Sequence, residues 1–491
     1  MPGGAAPRNP VICADAGLCH SGRARTPLRA RPTHFADGGD GSGSGTRRRM
    51  RNDHDTGPDG VKGAMPPGTR RFGRFGRTRS EASREGAAAH SRVLLYSHDT
   101  FGLGHLRRCR AIAHALVERN KDVSVLILSG SPIIGSFDFR ARVDFVRIPG
   151  VIKLRNGDYT SLKLHIDIED TLDLRASIIR HTAETFDPDL FIVDKEPLGL
   201  RGEVEETLWM LKERGVPRVL GLRDVMDDPD LLAPEWARKN VLPALAELYD
   251  DIWVYGLPQI HEPLEGLDIP PSILRKLSYT GYLRREVSRD CATPAQAPLF
   301  DRPYILVTPG GGGDGEEMVD RVIAAYEHDR DLPHPALIVF GPFMQSDRQN
   351  EFLARVEHLP AVECLTFDAH LEALMDGAHA VVAMGGYNTF CEILSFDKRA
   401  LIVPRTTPRR EQLIRASRAQ ELGLVAMLRD RDAIDPARMA TALRHLPQQP
   451  RPSERVVPGL LDGLDNVDRL ARHLIDAPRK PDALDVVERR A

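Results

Sequence analysis

The chain has 491 residues, enough for two or three domains, and a formal net charge of -3, which argues against a nucleic-acid protein. No apolar run approaches the roughly 18–20 residues of a membrane span, and no apolar signal-peptide core precedes a small-residue cleavage site. Six scattered cysteines (Cys13, Cys19, Cys109, Cys291, Cys364 and Cys391) show neither a disulfide framework nor paired CxxC spacing, which fits a reducing cytoplasm.

Residues 1–90 are rich in Gly, Arg, Pro and Ser and carry almost no hydrophobic periodicity. Such a segment cannot bury enough apolar surface to offset its ordering entropy, so a disordered leader is expected. The alternation Arg71-Phe72-Gly73-Arg74-Phe75-Gly76-Arg77 suits stacking on RNA bases or contact with anionic lipid. The expectation is nonetheless a leader with no dedicated partner. Met50 and Met65 offer later translation starts that leave every later motif intact.

Residues 91–290 read as a first α/β domain. A strand over 93–96 is followed by the loop His98-Asp99-Thr100-Phe101-Gly102-Leu103-Gly104-His105 and a helix over 106–119. Strands over 123–128 and 143–148 come next. A helix over about 167–185 then places Ile168, Leu172, Leu174, Ile178 and Ile179 near one face. A strand over 190–193 ends in Asp194, and a helix over 203–214 leads to strands over 218–222, 251–255 and 277–279.

Residues 291–303, rich in Pro and Ala, read as a linker. The pattern restarts over 304–450, with strands at 304–308, 336–340, 362–367, 379–383, 399–403 and 425–428. Strands alternating with helices imply parallel sheets covered on both faces, here two doubly wound domains with ligands at the carboxyl ends of the strands. In the segment 451–491, Leu460, Leu464, Val467, Ala471 and Leu474 recur at helical spacing and predict a helix that crosses back over the first domain. From Pro478 onward the chain reads as frayed.

Three stretches carry chemistry. The strand over 381–383 runs into Gly385-Gly386 and then Asn388, Thr389 and Glu392 on a helix start. Glycines permit a tight turn and close approach, the first helical N–H groups favour an anion, and Glu392 can accept both hydrogen bonds of a ribose diol. The alternative is an ordinary strand–helix turn with a surface Glu. Gly310, Gly311, Gly312 and Gly313 follow another strand and suit a diphosphate, though no Lys-Ser/Thr makes them a P-loop. Glu411-Gln412, after Arg405, Arg409 and Arg410, suits sugar hydroxyls beside phosphate-neutralising arginines. In the first domain, Gly102-Leu103-Gly104-His105 puts an imidazole at a helix start, where the positive end keeps it neutral and able to take a proton. Asp99 either orients it or is itself the base, and Asp194 ends a strand at the same edge.

Together these motifs resemble the two-domain GT-B glycosyltransferases of the family 28 type, the family of the bacterial N-acetylglucosaminyltransferase of peptidoglycan synthesis. The likeness spans roughly residues 92–474 and is strongest over 304–423. Gly104-His105 matches the family's first-domain loop, and Gly310 to Gly313 its second glycine loop. Gly386-Tyr387-Asn388-Thr389-Phe390-Cys391-Glu392 matches its Gly-x-x-Thr-x-x-Glu nucleotide helix, and Glu411-Gln412 its donor-sugar pair. Phe367 falls where the family's backbone reads uracil. The first loop departs from the usual Gly-Gly-Thr-x-Gly-His, which leaves base and acceptor open. Retaining GT-B enzymes carry a Glu-x7-Glu pair, and Met384 stands where its first Glu would fall, favouring inversion.

The resemblance implies an α/β GT-B fold of two Rossmann-like domains facing a cleft. It also implies an inverting, metal-independent transfer of a sugar from a nucleotide-diphosphate donor, UDP-linked by expectation, to a hydroxyl acceptor. No cofactor beyond the substrate is expected. The setting would be cytoplasmic, with peripheral contact to an inner membrane left open, in bacterial cell-envelope or glycoconjugate synthesis. A nucleotide-sugar epimerase or hydrolase of the same fold, or a non-catalytic nucleotide-sugar-binding protein, are the rival readings.

Overall fold

A computed structural model of the chain describes residues 90–98, 104–153, 159–287, 302–310, 315–341, 343–366 and 371–478. Expectations for the leader, for most of the 291–303 linker and for the tail beyond Pro478 fall outside these residues. Among the described residues no helix is long and apolar enough to cross a membrane.

The first sheet is built from β1 (Ser91–Ser97), β2 (Val123–Ser129), β3 (Val143–Arg147), β6 (Leu190–Asp194), β7 (Arg218–Arg223), β8 (Asp251–Tyr255) and β9 (Leu277–Tyr279). A small antiparallel hairpin of β4 (Val151–Lys153) and β5 (Tyr159–Ser161) stands apart. Helices α1 (Gly104–Arg119), α2 (Ile168–Phe186), α3 (Glu205–Glu213), α4 (Pro229–Arg238), α5 (Val241–Glu247) and α6 (Pro271–Leu274) connect the strands. The second sheet holds β10 (Ile305–Thr308), β11 (Ala336–Val339), β12 (Val362–Leu365), β13 (Ala380–Ala383), β14 (Arg399–Ile402) and β15 (Ala426–Met427). Its helices are α7 (Glu316–His328), α8 (Ser346–Val356), α9 (Leu371–Gly377), α10 (Tyr387–Ser395), α11 (Glu411–Glu421), α12 (Asp430–Ala433) and α13 (Pro436–His445), and α14 (Gly463–Asp476) ends the fold.

The strand orders are β3-β2-β1-β6-β7-β8-β9 and β12-β11-β10-β13-β14-β15. Every pairing within these two sheets is parallel. Both sheets therefore reverse direction of winding once, between β1 and β6 in the first and between β10 and β13 in the second. A crevice opens at the carboxyl ends of strands at such a switch point. Parallel strands covered on both faces need apolar residues on both, and Val93, Leu94, Leu95 and Tyr96 of β1 are all buried.

Helix α1 buries Leu106, Cys109, Ile112, Ala113, Leu116 and Val117, spaced three and four apart, against the sheet. Each buried Leu or Ile of this stripe contributes about 1.5–3 kcal/mol. Helix α2 departs from the expected face. Leu174 is exposed, and the buried stripe runs Leu172, Arg175, Ile179 and Ala183. Arg175 can occupy that stripe because Glu203 receives it, with Nη2 donating to Oε1 at 2.6 Å.

As the spacing predicts, α14 returns to the first domain, where Val467 and Ala471 join the cluster holding Val93, Leu116 and Val117. Its entry is tight. Gly463 N–H donates to Tyr282 O at 3.2 Å, and Tyr282 N–H donates to Leu460 O at 2.8 Å.

Candidate active site

The carboxyl end of β1 leads into the segment carrying Asp99 and Gly102, which lie outside the described residues. His98 and Gly104–His105 bracket it. His105 opens α1, and Asp194 ends β6, so both stand at the first sheet's switch point. His105 Nδ1 donates to Asp194 Oδ2 at 2.5 Å. Arg108, one turn along α1, grips the same carboxylate with Nε to Oδ1 and Nη2 to Oδ2, both at 2.6 Å. Burial alone would raise the Asp194 carboxyl, but Arg108 and His105 hold it well below the usual carboxylate range. An ionised carboxylate only accepts, so Nδ1 carries the hydrogen and Nε2 keeps its lone pair. Burial lowers the His105 pKa despite Asp194, so the ring is neutral at pH 7. The His105 side chain remains 19% exposed, enough for a reactant to reach it. Next to it His98, whose ring lies edge-on at 5.5 Å, is buried and pushed down to about 3, chiefly by that burial.

Lys195, the residue after Asp194, sits in the left-handed region at φ 68°, its N–H donating to Gly221 O at 2.8 Å. A non-glycine residue in that region costs of order 1–3 kcal/mol and is found where surrounding structure enforces it, often at functional sites.

In the second domain Gly310 follows β10 and Gly385 follows β13, again at the switch point. Gly310 has φ 92° and Gly385 φ 80°, and a Cβ on Gly385 would lie 2.8 Å from Ile402. Gly386 has open space where its side chain would be, and no side chain caps α10. A Cβ on Gly310 would sit 3.8 Å from Thr389 Oγ1, so the two glycine turns converge on the start of α10. Gly311, Gly312, Gly313 and Phe367 lie outside the described residues.

The two switch points meet. Asn388 Nδ2 donates to Gly104 O at 3.0 Å, and the Arg108 guanidinium lies 5.4 Å over the Tyr387 ring. Glu392 of α10 is engaged by the first helix of the first domain. It is fully buried, with Oε1 accepting from Arg107 Nη2 of α1, while Arg107 also reaches Glu372 at 2.6 Å. Burial, with Glu372 nearby and despite Arg107, pushes Glu392 up to about 7, and its Oε2 has no hydrogen-bond partner among the described residues.

Glu411 and Gln412 open α11 as expected, and both are buried. Glu411 Oε2 accepts from Arg223 at the end of β7, and Gln412 Oε1 accepts from Arg405 N–H at 3.1 Å. Burial would raise Glu411, but Arg223, Arg415 and Lys195 draw it down to about 2. Behind it Arg415 meets Asp224 through Nε at 2.6 Å and Nη2 at 2.7 Å, both side chains fully buried, and its Nη1 donates to Gly385 O at 2.9 Å.

Residues 310–455 match the Glycosyltransferase family 28 C-terminal domain. A curated protein of Methanosarcina acetivorans, described as an uncharacterized glycosyltransferase, is 26% identical over 325 residues, covering 62% of this chain and 77% of its own. The chain is a GT-B glycosyltransferase. A UDP-N-acetylglucosamine–N-acetylmuramyl-(pentapeptide) pyrophosphoryl-undecaprenol N-acetylglucosamine transferase of Pseudothermotoga lettingae is 24% identical over 191 residues, 38% of this glycosyltransferase and 51% of that protein. Among solved structures, the glycotransferase of kitacinnamycin superposes with a TM-score of 0.50 and 16% identity over 82% of this chain and 99% of its own, a likeness of fold.

Sequence reading placed Asp194 at the edge of the cleft but not on His105, 89 positions away. Arg107 and Arg108 went unnoticed in this glycosyltransferase, although their place in the first turn after the Gly-His loop was a usable signal.

Proposed function

We propose that this glycosyltransferase transfers a sugar from a UDP-linked donor to a hydroxyl acceptor with inversion at the anomeric carbon. His105 Nε2 takes the acceptor proton as the acceptor oxygen forms its bond to the anomeric carbon. The bond from that carbon to the diphosphate oxygen breaks, and its electron pair leaves with UDP. The leaving charge is met by the backbone N–H groups at the start of α10 and the glycine turns, a preorganised arrangement that needs no metal ion in this reading. Glu392 receives the ribose diol, which takes the place of the Arg107 guanidinium as the nucleotide enters. Glu411 and Gln412 face the donor sugar. The UDP assignment draws on the name of the Pseudothermotoga lettingae relative.

The observation that carries the reading is the His105–Asp194 contact at the first switch point, joined to α10 at the second through Asn388 and Gly104. The decisive experiment screens UDP-, dTDP- and GDP-sugars for a rise in melting temperature and follows each binder for product by mass spectrometry. A UDP-sugar that binds and yields an inverted glycoside with an added acceptor supports the proposal. Inversion at C2 without transfer identifies an epimerase, release of free sugar alone a hydrolase, and binding without turnover a sensor. Each of those three outcomes rejects it.

A further inference from the structure

A cavity of about 600 Å³ runs along one face of α1, from Arg107 in its first turn to Arg119 in its last. The segment 136–142 walls one side, and the strap 284–287 that follows the first domain walls another, with Glu372 of α9 at one end. Seven arginines line it against four carboxylates, leaving an excess of three positive charges. Gly310, Gly385, Gly386 and Glu392 are not in its lining, although Arg107 and Arg285 of that lining reach Glu392 and Asn388 of α10.

Most of these cations have a protein partner. Arg140 pairs with Glu118, Arg119 with Asp465, and Arg107 with Glu372 and Glu392. Arg142 donates to backbone carbonyls, including Val123 O at 2.8 Å. Arg285 donates Nη2 to Asn388 Oδ1 at 2.9 Å, and, like it and Arg142, Arg110 and Arg284 have no carboxylate partner among the described residues. Arg110 donates Nε to the Asp138 carbonyl at 2.8 Å, and its guanidinium lies 5.5 Å over the Phe137 ring. Burial, and then the guanidiniums of Arg107 and Arg140, work against its charge more than Glu372 and Asp138 support it. Beside it His114 is held neutral, pushed down to about 3 by burial, Arg110 and Arg140. Its Nε2 accepts the Arg140 N–H at 3.3 Å, which leaves Nδ1–H as a neutral donor.

A half-buried, under-neutralised guanidinium cluster is stabilised by an anion it can chelate, and planar arginine forks suit phosphate oxygens. The volume falls in the range of small-molecule sites, and Phe137 and Phe139 supply an apolar wall. We infer that this cavity is a second ligand site, for a phosphorylated small molecule whose phosphate or diphosphate is held by Arg110, Arg140 and Arg284. The inference stands whether or not the donor is UDP-linked.

Calorimetric titration of the full chain with inorganic pyrophosphate, at constant ionic strength and with saturating UDP present, tests it. Binding is expected to persist under UDP and to weaken about tenfold or more in the Arg110→Gln/Arg284→Gln variant. Should that variant fold poorly, Arg284→Gln alone, at an exposed position, is expected to lower the affinity about threefold or more. AMP and glucose 1-phosphate then show whether a base or a sugar sits against Phe137 and Phe139, the tighter ester naming the group. No pyrophosphate binding, equal binding by the variants, or complete competition by UDP would each overturn the inference. The last would place the anion in the donor site.

Discussion

The contact between His105 and Asp194 gives the reaction a measurable handle. Asp194→Asn keeps the shape of the side chain but removes the charge that steadies the imidazolium formed when His105 takes the acceptor proton. Two unit charges about 4 Å apart at an effective dielectric near 20 interact by about 4 kcal/mol. Arg108 shares the carboxylate through two bonds of 2.6 Å, so roughly half of that reaches the ring. A loss of about 2 kcal/mol corresponds to roughly 30-fold in kcat, and the undivided ~4 kcal/mol to roughly 10³-fold. The assay is UDP release from the donor identified by thermal shift, with the acceptor that supports turnover, followed across pH. Asp194 raises the His105 pKa, so its removal lowers that pKa further and moves the acid limb of kcat/KM to lower pH. A merely structural defect would scale the rate at every pH without moving the limb. His105→Ala should lower kcat by about 10²–10⁴-fold and erase the limb altogether. Near-normal turnover in both variants, with UDP binding intact, would refute the role of this pair.

Glu392→Ala is expected to weaken UDP binding by about 1.5–3 kcal/mol, the range for hydrogen bonds to a charged group. Equal wild-type affinity for UDP and 2′-deoxy-UDP would show that Glu392 does not hold the ribose. Arg415→Ala strands Asp224 in the interior with the Tyr282 hydroxyl, which donates to it at 2.7 Å, as its remaining side-chain donor among the described residues, and should cost about 3–5 kcal/mol in denaturant unfolding. A cost below about 1 kcal/mol would mean that solvent reaches the pair once the arginine is gone. Gly463→Ala places a Cβ 2.5 Å from Tyr282 O and should destabilise by about 1–3 kcal/mol, read as a drop in melting temperature. An unchanged melting temperature would show that α14 shifts freely on the first domain.

The strands were legible because strands buried on both faces read as continuous apolar runs, as residues 93–96 and 381–383 do. The C-terminal helix was legible for the complementary reason, a 3.6-residue stripe with polar neighbours. Helix α2 misled because Leu174 and Arg175 stand side by side, and the ion pair that makes Arg175 the inward residue lies 28 positions away at Glu203. The hairpin of β4 and β5 is only three residues a side, too short for alternation to register. Helix α4 was missed despite a local signal. Asp228 caps it, accepting from Asp230 N–H at 3.1 Å, and Pro229 follows at the first helical position. At the candidate site, the glycine turns and helix starts were visible as motifs. The partners that set the chemistry were not: Asp194 on His105, Arg107 on Glu392, Arg223 on Glu411 and Asp224 on Arg415 are tertiary pairings between distant elements, and no local periodicity encodes them.

The return of α14 to the first domain has a consequence for how the protein is made. The strap at 284–287 leaves the ribosome long before Gly463 does. At about 5–20 residues per second, the 463 position follows some 10–35 s after the 287 position. Throughout that interval the apolar surface that will receive Val467 and Ala471 is uncovered, and the Thr280 carbonyl that accepts from Asn466 Nδ2 at 2.8 Å lacks its partner. The first domain to emerge is thus the last to be completed. A nonsense mutation that removes Val467 and Ala471 would be felt by nascent-chain chaperones at the first domain, far back along the polypeptide.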